Sequence, residues 1–452
     1  MSNYKNFIHF GCWNYNKCDS DNLADTVKPE DTNITRVMKT LKKYIDKSID
    51  KSIENKPEFL TVAGDNYYFL KNKKKDVGEE QKIFNQEFLL SGFNCLPKNI
   101  KKYVLIGNHD LENIDNPLKD PDCSILETQK KFESDVGNNI VLDSDRTGPI
   151  MHHVLDDSTI VIMLDTTMYE ESEKAIKKVM KCYEKMFEMN ALGVPVNENV
   201  LEKIKVMRDN QKQRLADYIA SLTAKAGTIK NIIVVGHHPL FDLKTKKDDE
   251  SGKIKTKEEV MPLLNELYYE SIYVPLQAVN SGIKYFYLCA DLHQYQTGTV
   301  TITAAGAVRP LLVIQQYIAG TGGTELEKNP YDHSKDGGVT KNTDKYQITY
   351  NIIPSANEYT HGFLVCKLDT DKNFTAEFIE ADKFIGGGSY RKTSKIRKAK
   401  KTSKAKKTSK AKKTSKARKQ SRSKKTSKQS RQKKTNKQSR SKKTKKTSRK
   451  RG

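Results

Sequence analysis

Short apolar runs recur along the chain, at residues 7–10, 59–63, 103–106, 159–164, 232–235, 285–289, 311–314 and 362–366. Runs of this length, without polar alternation, fit β-strands buried on both faces. Between them the period changes. Residues 36–51 place Val37, Leu41, Tyr44, Ile45 and Ile49 along one helical stripe, and 170–190 and 200–222 repeat the pattern with more charge. Strands alternating with helices predict an α/β body. Residues 168–210 read as a helical insertion in that body, and 244–259 as a charged excursion with no apolar stripe. The body, residues 1–385, ends near Phe384-Ile385, and Gly386-Gly387-Gly388 forms a flexible joint.

Composition divides the chain at the same place. The formal charge of +25 is concentrated beyond the joint: residues 389–452 hold 32 Lys and Arg and no Asp or Glu. The remainder carries 49 basic against 56 acidic residues, a net of −7. The segment 386–452 repeats Ser-Lys-Ala-Lys-Lys-Thr loosely and is almost devoid of apolar residues, so it reads as a disordered arm. Its charge density suits non-specific binding of nucleic acid or another polyanion, and is also compatible with nuclear targeting. No aromatic residue follows Tyr390, so base stacking is not expected. Seven scattered cysteines lack the rhythm of a disulfide framework, which favours a reducing compartment. No leader precedes the first strand and no run is long enough to span a bilayer, so an intracellular, non-secreted protein is expected.

The candidate chemistry lies where strands end. Gly64-Asp65-Asn66-Tyr67-Tyr68, Gly107-Asn108-His109-Asp110 and Gly236-His237-His238-Pro239 each follow an apolar run. Carboxylate, phenol, amide and imidazole groups gathered in this way suit a metal-dependent hydrolase. Two cations about 3.5–4 Å apart can hold a phosphate, acidify a water and stabilise the leaving oxygen. Asp65 is the candidate to bridge such ions, with Asn108 and His237 as terminal ligands. His109, with Asp110 beside it, is suited to contact phosphate or protonate the leaving group. His238 is either a phosphate contact or a support for its neighbours. His9 reads as a core histidine, and His152, His153, His333 and His361 as structural or exposed. The Gly-rich string 319–323 lacks the lysine of a P-loop and reads as a rim loop.

These strings, in this order, resemble the calcineurin-like metallophosphoesterases, and most closely the purple (tartrate-resistant) acid phosphatases. Met163-Leu164-Asp165-Thr166 matches a further strand of that subfamily, and the resemblance runs from about residue 7 to 381. It implies two mixed β-sheets packed together and flanked by helices, and phosphomonoester hydrolysis by a metal-activated water at a dinuclear centre of Fe, Zn or Mn. It also implies that Asp65 bridges the metals, that Tyr68 and His293 bind the first, that Asn108 and His237 bind the second, and that His109 sits over the phosphate. Two ligand positions depart from the pattern. Gly11-Cys12-Trp13-Asn14 stands where the family has Gly-Asp-Trp-Gly, and Ala290-Asp291-Leu292-His293 where it has Gly-His-x-His. Asp291 is an ordinary substitute ligand for the second metal. Cys12 is either a thiolate ligand of the first or a buried thiol at a decayed position. The same two changes leave open a rival reading, a scaffold that keeps the fold without the catalysis.

Overall fold

In the computed structural model of the protein, the apolar runs become the inner strands of two sheets. Residues 5–381 are described, apart from 52–55, 70–78, 115–122, 135–138, 143–145, 188, 196–197, 226, 248–253, 305–311, 327–337, 356 and 358. The arm, its glycine joint, the proposed boundary at 385 and His333 therefore lie outside the described residues.

The first strands are β1 (Lys5–Phe10), β2 (Phe59–Ala63), β3 (Lys101–Leu105) and β4 (Ile140–Val141). After them come β5 (His152–Asp156), β6 (Thr159–Met163), β7 (Asn231–Val235), β8 (Phe241–Lys247) and β9 (Ile254–Val260). The chain continues through β10 (Lys284–Cys289), β11 (Tyr295–Ala304), β12 (Leu312–Ala319), β13 (Val339–Asn342) and β14 (Tyr346–Ile353), and closes with β15 (Gly362–Leu368) and β16 (Phe374–Glu380). One sheet has the order β16-β15-β1-β2-β3-β4, the other β13-β14-β11-β12-β10-β7-β6-β5. In each, the central strands run parallel: β1 with β2 and β2 with β3, then β6 with β7, β7 with β10 and β10 with β12. Antiparallel strands flank these, except at the β4 edge, which is parallel to β3, so both sheets are mixed, as expected.

The sheets pack face to face. Phe7, Phe59 and Ala63 from one meet Val161, Ile233, Val235 and Leu288 from the other. The intervening residues Ile8, Leu60 and Val62 turn outward under α1 (Asn33–Lys51), α2 (Glu79–Cys95) and α3 (Ser124–Ser134). On the far side Ile232 and Val234 pack under α4 (Glu173–Met186) and α5 (Val200–Thr223). Burial on both faces is why these strands read as unbroken apolar runs. No described helix is long and apolar enough to cross a membrane.

Three expectations change. The stretch 244–259 is a β8–β9 hairpin, its pairing running from Phe241–Val260 to Lys247–Ile254. The insertion boundary at 210 falls inside α5, a continuous helix to Thr223, so the two helices cannot be separated from the body there. The reading of the cysteines is also corrected: Cys18 pairs with Cys95 and Cys123 with Cys182, leaving Cys12, Cys289 and Cys366 as free thiols. The partners lie 77 and 59 residues apart and meet only when helices dock, so no spacing revealed them. The argument for a reducing compartment drawn from the cysteines therefore falls.

Alkylation of the denatured, unreduced protein is expected to label three cysteines by mass spectrometry, and labelling of all seven would contradict the pairing. Reduction is expected to cost about 3–4 kcal/mol of stability per disulfide, read from denaturant unfolding.

Candidate metal centre

Parallel strands deliver their carboxyl ends to one edge, where ligand sites form in open α/β sheets. Here two such edges converge. Cys12 follows β1, Asp65 follows β2, Asn108 follows β3, Thr166 follows β6, His237 follows β7 and Asp291 follows β10. Backbone hydrogen bonds lace the ends together, Cys12 N–H to Gly64 O at 3.1 Å and Ala290 N–H to His237 O at 2.9 Å. Tight turns are needed to aim the side chains inward. Cys12, Asp65 and Asp291 all adopt left-handed backbone, with φ of 49°, 52° and 58°. Such conformations cost non-glycine residues energy and cluster at functional sites. Gly64 has φ +80°, and a Cβ there would lie 2.7 Å from Gly107 N. At Gly107 a Cβ would lie 2.2 Å from Asp65 N, so any side chain would push the two turns apart.

Asp65 occupies the centre and is 1 % exposed. Its Oδ1 accepts the His109 N–H at 3.0 Å and lies 3.3 Å from His237 Nε2. Its Oδ2 accepts the Tyr68 hydroxyl at 2.8 Å and lies 3.7 Å from Cys12 Sγ. The Tyr68 oxygen is in turn 3.0 Å from His293 Nε2. The two carboxylate oxygens thus face two different donor sets. Burial pushes the carboxyl up, but the His237 and His109 charges, with the His109 N–H and the Tyr68 hydroxyl, hold it below the usual carboxylate range. Burial, then the Asp65 charge, pushes both the Tyr68 phenol and the Cys12 thiol well above their ordinary values.

On the Oδ1 side, His237 Nδ1 meets Ala63 O at 2.6 Å, which assigns the proton to that nitrogen and turns Nε2 inward. Nε2 then faces Asn108 Oδ1 at 3.1 Å, Asp65 Oδ1 at 3.3 Å and Asp291 Oδ1 at 3.7 Å. Three oxygens thus converge on Nε2, and a cation in place of a proton there would suit all four atoms. The residues on both sides of Asp65 therefore fit metal ions in donor type and arrangement. Cys12, Asp65 and His237 form one cluster with ligand atoms within 4.8 Å of one another, and His237, His238 and Asp291 form a second.

The remaining expected residues lie around these sets. His109 packs at a tilt against Tyr68 with ring centroids 4.6 Å apart, and its Nδ1 lies 3.2 Å from Glu112. Burial lowers its pKa, but the Asp65 and Glu112 charges win and raise it to about 9. His238 Nε2 lies 3.3 Å from Glu170. Burial opposes its protonation, while Glu170 and Asp291 raise its pKa. Asp110, expected beside His109 as a catalytic group, faces the other way. It is fully buried and accepts the Gly107 and Asn66 N–H groups and the Asn66 and Gln129 amides, all within 3.0 Å. Its burial, then the Asp65 charge, raises its pKa to about 8. His9 is a core residue between Thr61 and Cys289 O, with burial lowering its pKa to about 4. The glycine string packs tightly: a Cβ at Gly320 would lie 2.0 Å from Leu292 O.

Glu112, Glu170 and Thr166 were not anticipated as partners. Glu112 lies one helical turn beyond His109, a spacing that could have exposed it. Glu170 and Thr166 meet their histidines across some seventy residues, and no local pattern marks them. Thr166 Oγ1 accepts the N–H groups of His237 and His238 at 3.0 and 2.9 Å and contacts His238 Nδ1 at 3.1 Å.

A buried carboxylate between two donor sets, at converging strand ends of packed mixed sheets, defines a metal-dependent hydrolase. The chain belongs to the calcineurin-like phosphoesterase family, whose model matches residues 6–295. A comparison with curated proteins returns no match. Family membership implies metal-dependent hydrolysis of phosphate esters.

Thr166→Val is expected to leave two buried N–H groups without an acceptor, costing about 1–3 kcal/mol of stability. It should also weaken metal binding about 10–100-fold by loosening His237, as loss of an outer ligand support does. Calorimetric titration showing unchanged affinity would contradict this role.

Proposed function

We propose that the protein is a phosphomonoesterase of the acid-phosphatase type, working at a dinuclear metal centre. The observation that carries this is the placement of the two Asp65 oxygens against separate donor sets. Tyr68, His293 and Asp65 Oδ2 would hold one ion, and Asn108, His237, Asp291 and Asp65 Oδ1 the other. When bound, the ions supply charge that polarises the phosphoryl group and acidifies a water. The protein's own groups bind and orient the ester. A cavity of about 380 Å³ opens beside Asn108 and Asp291, walled by Glu170, His238, Lys244 and Met261. That volume accommodates a phosphoryl group and a small leaving group. His109, 33 % exposed in its side chain, is placed to donate a proton to the leaving oxygen. Glu112 engages its Nδ1, so the proton available for transfer is the one on Nε2. Thr166 and Glu170 engage the two ring nitrogens of His238, which makes it a positioning residue in the cavity wall. Asp110 serves as a positioning residue that ties the turn after β2 to the turn after β3.

Protein loaded with zinc, iron or manganese is expected to hydrolyse an aryl phosphate, with close to two metals per chain by elemental analysis. Asp65→Asn should lower turnover by more than about 100-fold, because it alters a direct ligand rather than a supporting partner. A fully metallated protein inert towards phosphomonoesters would overturn the proposal.

A second proposal rests on sequence: residues 389–452 bind nucleic acid or another polyanion without sequence preference. Its motivation is 32 basic residues without an acidic one. Affinity for DNA is expected to fall steeply with salt, the log–log slope gaining about −0.9 per phosphate neutralised. Deleting the segment after Gly388 should remove this binding and leave hydrolysis unchanged. Equal affinity in the truncated protein would refute it.

A further inference from the structure

The first-metal side contains a soft donor where the resemblance leads one to expect a carboxylate. Cys12 is fully buried, and it is a free thiol. Its sulfur lies 3.7 Å from Asp65 Oδ2 and within hydrogen-bonding contact of Tyr68. The Tyr68 oxygen links onward to Asp65 Oδ2 at 2.8 Å and to His293 Nε2 at 3.0 Å. Three strand ends and their turns thus link one sulfur, two oxygens and one nitrogen in a continuous chain of contacts. The sulfur cannot easily withdraw from it. The backbone at Cys12 is held by hydrogen bonds from its N–H to Gly64 O and from Thr324 N–H to its own carbonyl. Gly320 borders the thiol, where a Cβ would stand 3.4 Å from the sulfur, at van der Waals contact.

We propose that Cys12 is a thiolate ligand of the first metal, making that site a sulfur–nitrogen–oxygen site that selects zinc, ferrous iron or cobalt over manganese and magnesium. This rests on the metal-centre reading above and deepens it by naming the ion class. Hard cations prefer oxygen donors, whereas thiolate suits zinc and ferrous iron. The coordination balances simply: the S–H bond breaks, its proton leaves to solvent, and the sulfur lone pair joins the cation. The other candidate set has only nitrogen and oxygen donors, so the two ions face different chemistry.

Cobalt titration of the full-length protein tests this without relying on turnover. Binding is expected to produce the intense near-ultraviolet band of thiolate-to-cobalt charge transfer. Cys12→Ser should abolish the band, while Cys289→Ser and Cys366→Ser keep it. Zinc binding by the Cys12→Ser protein should weaken by at least about 10-fold, and calorimetry in buffers of different ionisation enthalpy should show one fewer proton released per chain. Cys12→Asp, which restores an oxygen ligand, should bind cobalt without the band and shift preference towards manganese, even if Cys12→Ser folds poorly. Two cobalt ions bound without a thiolate band would overturn the Cys12 assignment and leave the dinuclear reading intact. No cobalt, zinc or manganese bound by the wild-type chain would overturn both.

Discussion

A carboxylate buried at the junction of two sheets must be compensated, because an unpaired charge in that setting costs several kcal/mol. Asp65 is that carboxylate. Its compensation comes from groups that neither sheet supplies alone: the His109 N–H and Tyr68 hydroxyl from one side, His237 from the other. The order of the strands, the tight turns after them and the inward aim of the histidines all serve this one contact. Cations on either side would complete what the protein groups begin. The Asp65 and Asp291 carboxylates gathered around His237 Nε2 favour positive charge among them, so metal binding and the stability of this edge are coupled.

The turns bear the strain of this arrangement. Three donor residues accept left-handed backbone, a conformation that most side chains avoid. The surrounding structure fixes it through hydrogen bonds between strand ends and through glycines where two backbones touch. Asp110 plays a central part by gathering the N–H groups of both turns with one carboxylate. It stands next to His109 in sequence, yet it is fully buried while the His109 side chain is 33 % exposed. Adjacent residues on a tight turn point in opposite directions, and this is why the string alone assigned both to catalysis.

The parallel core was legible in the sequence because its strands are buried on both faces and read as apolar runs. The edges were not. In β11, threonines alternate with Val300 and Ile302, and only the latter pack inward. In α2 the buried residues Asn85, Phe88, Leu89, Gly92 and Phe93 keep the helical period, but two of them are not apolar and Ile83 lies exposed, so the apolar pattern was lost. The hairpin of β8 and β9 carries charges throughout and gave no signal. At the site, Asp65, Asn108 and His237 could be read because each immediately follows an apolar run. Their supports could not, since Thr166 and Glu170 reach the histidines through tertiary packing. Cys12 was visible as a departure, but only the geometry shows its sulfur aligned with Asp65 and Tyr68.

The Asp65 carboxylate is expected to stand between two metal positions. Anomalous diffraction from crystals soaked in zinc or cobalt measures this directly. Two peaks are expected about 3.5–4 Å apart, one near Tyr68 and His293 and one near Asn108 and His237, with Asp65 between them. Peaks away from Asp65, or none at saturating metal, would contradict it.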